Sequence, residues 1–263
     1  MRENLVLKKL AAGQTIVNAW LSIPSSYSAE VLGHQGFDCV TIDLQHGLIG
    51  IDAALPMFQA LSSTPAVPLA RVPANNPAQI MQVLDYGAYG VICPMISTVD
   101  QAASFIQSCL YPPVGLRSFG PARAPLYAGA DYYPGIDGQI LKFAMIETQA
   151  GLDNLEQILQ LEHLDGVYIG PNDLALALGC QPKAESDEQK VIEAVRQICA
   201  MATKYGKVAG MHTSGGEAAA RRVSEGFRFV TPGNDVALLS GAAKAAVATV
   251  RGAKPGAPSA TGY

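Results

Sequence analysis

Short apolar runs recur along this 263-residue chain, and most are followed by a stretch with the spacing of a helix. Ile16 to Ile23 (IVNAWLSI), Phe37 to Leu44 (FDCVTIDL), Val67 to Val72 (VPLARV) and Gly90 to Met95 (GVICPM) read as the first four strands. Leu141 to Glu147, Gly166 to Gly170, Lys207 to His212 (KVAGMH) and Phe227 to Thr231 (FRFVT) read as the next four. Helical patterns fall at 25–35, 52–61, 98–109, after Glu147, at 187–205 with Ser186 as its cap, and at 236–250. Asn76-Pro77 reads as an N-cap followed by proline at the first helical position, opening a helix through Asp85. Near-continuous apolar strands are what a parallel sheet buried on both faces requires. Eight such repeats in about 250 residues, without a GxGxxG fingerprint, predict a (β/α)8 TIM barrel in a single domain over residues 1–251. The last stretch, 252–263, is poor in apolar residues and reads as a disordered tail. Between Tyr111 and Gly138 the rhythm breaks into a segment rich in Gly, Pro, Arg and Tyr, long enough to expect a functional loop.

Composition narrows this picture. A hydrophobic fraction of 49% against 15% charged residues describes a densely cored protein, with some surface covered by self-association. A net charge of −4, with no Lys/Arg cluster, gives no footprint for nucleic acid. Five scattered cysteines without a CxxC argue against a disulfide framework and a zinc knuckle. Cys39 and Cys93, inside apolar runs, read as small hydrophobes. The N-terminal stretch lacks a signal-peptide core, and no apolar run is long enough to span a membrane, so the expectation is a cytoplasmic protein.

The candidate chemistry lies at the C-terminal ends of the strands, where parallel α/β folds carry it. Glu147 ends the fifth strand, and Asp173 follows the Gly-Pro break after the sixth. Two hard oxygen ligands there suit a divalent cation such as Mg²⁺ or Mn²⁺, while the plainer reading is that both acids sit at helix N-termini. The second strand ends in Asp43-Leu44-Gln45-His46, so Asp43 could hold one imidazole nitrogen and leave the other as a base. A hydrogen-bonded loop histidine is the competing account. Arg71 stands among apolar residues on the third strand, where its fork would suit a substrate carboxylate or a structural pair with Asp43 or Asp85. His212 ends the seventh strand with no nameable partner, and His34 and His163 read as surface residues. The Gly215-Gly216 and Thr231–Asn234 stretches carry no Lys or Arg, which weighs against phosphate binding. No lysine ends a core strand in a position to form a Schiff base, since Lys142 opens the fifth strand at its other end.

FDCVTIDLQHGLI, PLARVPANNPAQIMQVLDYGAYGVICPM, GLRSFGPARA, AMIETQAGLDNL and GVYIGPNDLALALG occur in this order. Together they resemble the metal-dependent class II pyruvate aldolases of the HpcH/HpaI aldolase/citrate lyase family, from about Trp20 to Leu239. The resemblance is to the 4-hydroxy-2-oxoheptanedioate aldolase type and its 4-hydroxy-2-keto acid and hydroxypyruvate aldolase branch. It implies reversible cleavage of a 4-hydroxy-2-keto acid to pyruvate, or hydroxypyruvate, and an aldehyde. It implies Glu147 and Asp173 as ligands of Mg²⁺, Mn²⁺ or Co²⁺, and His46 as base, directly or through a metal-bound water. Arg71 would hold the keto oxygen. Asp43 and Asp85 would tune His46, with Asp85 reaching in from a neighbouring subunit. Backbone amides around Gly170, Pro171 and Asn172 and at Thr148 or Gln149 would hold the substrate carboxylate. A homohexamer, a trimer of dimers, is also implied.

Two positions depart from the family pattern. Gln45 stands where many members have Glu, and Met145 where they often have Gln. Neither is an expected ligand, so the departures bear on the surroundings of the site and on substrate preference. Competing readings are oxaloacetate decarboxylation through the same enolate, a CoA-ester lyase, for which no basic patch is present, and a non-catalytic barrel.

Overall fold

A computed structural model describes residues 1–252, leaving all but Gly252 of the expected tail outside the described residues. Eight parallel strands close into a barrel in sequence order: β1 (Ile16–Leu21), β2 (Cys39–Asp43), β3 (Val67–Arg71), β4 (Gly90–Cys93), β5 (Leu141–Met145), β6 (Gly166–Ile169), β7 (Val208–Thr213) and β8 (Phe229–Pro232). The seam closes where Ile16 pairs with Phe229 and Val17 with Val230. The expected (β/α)8 architecture is therefore present. Most of the strands are shorter than their apolar runs, so Glu147 lies two residues beyond β5 rather than in it.

The connecting helices start where short polar side chains can hold free amides. Asn76 caps the Pro77–Asp85 helix, Asn234 caps Asp235–Val250, and Thr98 forms a full capping box with Gln101 at the head of Val99–Cys109. Ser186 does not cap the long helix. That helix runs Gln189–Lys204 from Glu188, whose amide Ser186 accepts instead. The helices at Leu5–Ala11 and Gly216–Ser224 have no counterpart in the expected pattern, and a further short helix spans Pro171–Ala177. Nor is the 111–138 segment an open loop. It contains helical turns at Ala124–Ala128 and Tyr132–Gly135 and a 3-10 turn at Ile136–Gln139.

That segment joins the end of one helix to the start of β5, so it belongs to the end of the barrel opposite the strand C-termini. Arg123 ties it there, donating to the carbonyls of Phe58 and Tyr86 and to Ser62 Oγ. Arg117, wholly buried, donates to Asp85 Oδ1 at 2.7 Å and Tyr132 Oη at 2.8 Å. Lys142 is likewise committed to structure, pairing with Asp165 at 2.9 Å.

Inside the barrel, Phe143 and Phe229 meet at 4.9 Å between ring centroids, and Tyr168 packs against both. Above and beside these rings, Asn18 accepts from Thr41 Oγ1 and donates to Thr231 Oγ1, which also receives the Tyr168 hydroxyl. The polar groups so far inside are satisfied by one another, as burial demands. Glycine makes room for the rings: a Cβ on Gly166 would lie 2.3 Å from Phe143 Cε1 and 2.4 Å from the Val208 carbonyl oxygen.

The second of those contacts is with backbone and cannot be relieved by a rotamer change. Gly166→Ala is expected to destabilise the protein by about 1–3 kcal/mol, the usual range for overpacking a core. Urea denaturation would show this as a lower midpoint at an unchanged m-value.

Candidate active site

The C-terminal end of the barrel gathers five of the expected catalytic and metal-binding residues, Asp43, His46, Arg71, Glu147 and Asp173, around two buried anchors. The first anchor is an ion pair between neighbouring strands. Register places Asp43 of β2 opposite Arg71 of β3. Arg71 Nε donates to Asp43 Oδ1 at 2.8 Å and Nη2 to Oδ2 at 2.6 Å, both side chains being nearly inaccessible. Asp43 also accepts from the Trp20 indole N–H at 3.1 Å and from the backbone amides of Gln45 and His46. Burial works against its carboxylate, yet Arg71, Trp20 and the Gln45 amide hold its pKa below the ordinary value. Of the two structural partners considered for Arg71, Asp43 is the one it has and Asp85 is not. Asp43 in turn reaches His46 at the backbone amide, which fixes the turn that presents this exposed histidine.

Trp20 was not singled out by the sequence reading, although a lone tryptophan near the end of the first strand was the available signal. The indole lies 4.8 Å from the Arg71 guanidinium, stacks on Tyr168 at 5.7 Å and meets the His212 ring edge-on at 5.3 Å.

Glu147 is the second anchor. It is 2% exposed, and its Oε1 accepts from the Met95 amide at 2.8 Å. Met95 adopts a left-handed backbone (φ 58°) as it presents that amide, a conformation unusual for a side chain of this size and invisible in the sequence. Oε2 of Glu147 is buried with no hydrogen-bond partner among the described residues. It points at Gly170, where a Cβ would come within 2.3 Å of it, so a side chain there would displace the carboxylate. Burial pushes the Glu147 carboxyl up to about 7, opposed by the Met95 amide, raised further by the charge of Asp173 and lowered by Arg71. Asp173 lies in the first turn of the Pro171–Ala177 helix, as the plainer reading of that residue had it. Glu147 caps nothing: Thr148 is the N-cap of the Gln149–Asp153 helix, accepting from Gly151 N.

A buried carboxylate oxygen with no donor among the described residues, under the charge of a second carboxylate, fits a hard divalent cation that takes its remaining ligands from substrate and water. No group of three or more His, Cys, Asp or Glu forms a fuller cage among the described residues. Pro171 has no N–H, so of the expected carboxylate-binding turn only the amides around it, such as that of Asn172, have a hydrogen to give. Thr148 hydrogen-bonds Ser97 through its hydroxyl, and the exposed Gln149 side chain bonds Asp153. Asp85 is not brought to this site. It ends the Pro77–Asp85 helix at the opposite end of the barrel, paired with Arg117 and facing a cleft lined by Met81, Gln82 and Arg123.

The model of the HpcH/HpaI aldolase/citrate lyase family matches residues 17–242. A hydroxypyruvate/pyruvate aldolase of Rhizorhabdus wittichii is 39% identical over 239 residues, covering 91% of this chain and 95% of the relative. A 4-hydroxy-2-oxo-heptane-1,7-dioate aldolase of Escherichia coli is 35% identical over 249 residues, covering 94% of each. Among solved structures, a family protein from Burkholderia cenocepacia superposes with a TM-score of 0.89 at 28% identity, covering 95% of this chain and all of that one.

Because the Glu147 carboxyl is raised from 4.5 to about 7 by folding, the unfolded chain ionises first as pH rises. Below about 4.5 both states are protonated and no penalty exists. Stability then falls between about 4.5 and 7, by up to about 3 kcal/mol, and levels off above. Urea titrations of chelator-treated protein at pH 5 and pH 7.5 should show this loss, and Glu147→Gln should remove most of it.

Proposed function

Since the chain belongs to the HpcH/HpaI aldolase/citrate lyase family and is a lyase of the aldolase kind, we propose that it is a divalent-metal-dependent aldolase. It would cleave 4-hydroxy-2-keto acids reversibly to pyruvate or hydroxypyruvate and an aldehyde. The observation that carries this reading is the Glu147 Oε2 atom, buried and without a donor, facing Gly170 with Asp173 close enough to act on its charge. Glu147 and Asp173 would hold Mg²⁺, Mn²⁺ or Co²⁺. When bound, such an ion polarises a keto oxygen and offsets the charge of an enolate.

The chain's own groups supply the rest. Arg71 presents a fixed cation where the enolate oxygen develops, and Asp43 keeps that cation from moving. Preorganisation of this kind costs no reorganisation at the moment of reaction. His46, on the turn held by Asp43, would take the 4-hydroxyl proton in cleavage or a methyl proton of pyruvate in condensation. Amides around Gly170 and Asn172 and at Thr148 or Gln149 would hold the carboxylate. Trp20 covers one side of Arg71 and limits water there.

Asp85 and the 111–138 segment lie at the far end of this barrel, so any part they play in catalysis or aldehyde choice is played at the site of another copy. A homo-oligomer, a hexamer built as a trimer of dimers, is the proposed form. Among the described residues no helix is long and apolar enough to cross a membrane, and a cytoplasmic location is the proposed one.

Pyruvate methyl protons should exchange with solvent deuterium, followed by NMR, only when Mg²⁺ or Mn²⁺ is added to stripped protein. Glu147→Gln should lower that exchange by on the order of a hundredfold or more, as loss of a group acting in the transition state does. Exchange that ignores metal and variant alike would end the metal-aldolase reading. Mixing inactive His46→Asn and Asp85→Asn proteins, after dissociation and reassembly, should restore turnover that neither has alone; no recovery would confine Asp85 to structure.

A further inference from the structure

One polar side chain at the mouth of the barrel has no task in the reaction above. His212 lies in β7, half-buried, its ring edge-on to Trp20 at 5.3 Å, while the Arg71 guanidinium lies 4.8 Å from the same indole. Histidine and arginine therefore flank one aromatic ring. On the other side, β6 and β7 pair Ile169 with Met211, and the next step of that register sets His212 beside Gly170. Gly170 is the residue at which Glu147 Oε2 points. Towards β8 its register partner is Thr231, whose hydroxyl is already taken by Asn18 and Tyr168. No described side chain hydrogen-bonds the imidazole.

The charged groups acting on His212 are Arg71 and Asp43. Burial, then Arg71, push its pKa down to about 4 against the opposing pull of Asp43. At neutral pH the ring is uncharged, with one N–H to donate and one nitrogen to accept. A keto or carboxylate oxygen can use only the donor. A hydroxyl group can pair with either nitrogen, whereas a methyl group pairs with neither and would leave a desolvated imidazole without a partner.

We propose that His212 is a specificity-determining residue that recognises a hydroxyl on carbon 3 of the keto acid, so that the chain favours a 3-hydroxy-2-keto acid over the unsubstituted one. This rests on the aldolase reading, in which Arg71 takes the keto oxygen. Carbon 3 is bonded to the keto carbon, so its substituent lies within reach of a ring that shares an indole with Arg71. The assignment also gives Met145 a place. Its methyl lies 3.1 Å from a Cβ built on Gly170, an apolar wall beside Glu147 Oε2 that offers a substituent no hydrogen bond of its own.

The chain has a single tryptophan, Trp20, in contact with His212, so its fluorescence reports binding without turnover. Hydroxypyruvate and pyruvate would each be titrated into the Mg²⁺-loaded protein. kcat/KM would be measured for both, with glycolaldehyde as the common acceptor, in wild type, His212→Gln, His212→Phe and His212→Leu. The expected result is a wild-type preference for hydroxypyruvate that falls roughly tenfold or more in the Phe and Leu variants and is largely kept by Gln, with Kd values moving the same way. Should Phe prove too bulky to fold, Leu answers the same question. An unchanged ratio, or an equal loss for both acids, overturns the proposal and leaves the aldolase reading standing. Activity and binding absent for both acids in the wild type overturn the aldolase reading and this proposal with it.

Discussion

The paired Asp43 and Arg71 side chains are the contact on which the mouth of this barrel depends. An ion pair out of reach of water is a poor source of net stability, because desolvation consumes most of the Coulomb gain. Its value lies in what else it fixes. Asp43 takes both donors of the guanidinium edge, the Trp20 N–H from β1 and the amides of the turn carrying His46. One carboxylate thus ties three strands and a loop to a single geometry. Removing either partner leaves the other charge buried and unpaired, which costs more than the pair contributes.

Glu147 is the opposite case, a buried carboxylate left partly unsatisfied. Everything around it is arranged to keep Oε2 in place without a donor: a strained Met95 amide on the other oxygen, and a glycine where any side chain would collide. Such a group destabilises the folded chain on its own, and the penalty is visible in its raised pKa. Proteins tolerate that kind of deficit at sites where a ligand later supplies the missing interaction. Asp43 is held below the ordinary carboxylate pKa by its neighbours and Glu147 is pushed above it by burial, two carboxyls a few strands apart shifted in opposite directions by environment alone.

The barrel was legible in the sequence because its strands are buried on both faces and therefore apolar throughout. The Asp43, His46, Arg71, Glu147 and Asp173 positions were legible because polar residues at strand ends stand out against that background. What could not be read is information carried by backbone shape. The left-handed turn at Met95, the short Pro171–Ala177 helix and the missing side chain of Gly170 have no periodic signature. Trp20 escaped for another reason: an indole in an apolar strand looks like core until the Asp43 carboxylate is found on its nitrogen. The 111–138 segment was read as open loop because Gly and Pro dominate it, whereas buried Arg117 and Arg123 bonds fold it into short helical turns.

The same segment and the Asp85 beside it stand apart from the site. Arg117 holds Asp85 at the end of the barrel away from the strand C-termini, and Tyr111, Phe119 and Tyr133 cluster beside it with the last two largely exposed. A parallel barrel cannot bring its helix C-termini to its own active-site face, since each helix must run back to the start of the next strand. Asp85 therefore either holds Arg117 and nothing more, or acts on a neighbouring molecule. The buried Arg117 guanidinium carries Nε and Nη1 without hydrogen-bond partners among the described residues, more donor capacity than Asp85 and Tyr132 use. Asp43 likewise engages only Nε and Nη2 of Arg71, so neither carboxylate uses the whole guanidinium it holds. What separates the two pairs is position: one lies at the mouth of the barrel and the other at the far end, where Asp85 could serve the reaction only at the site of another copy.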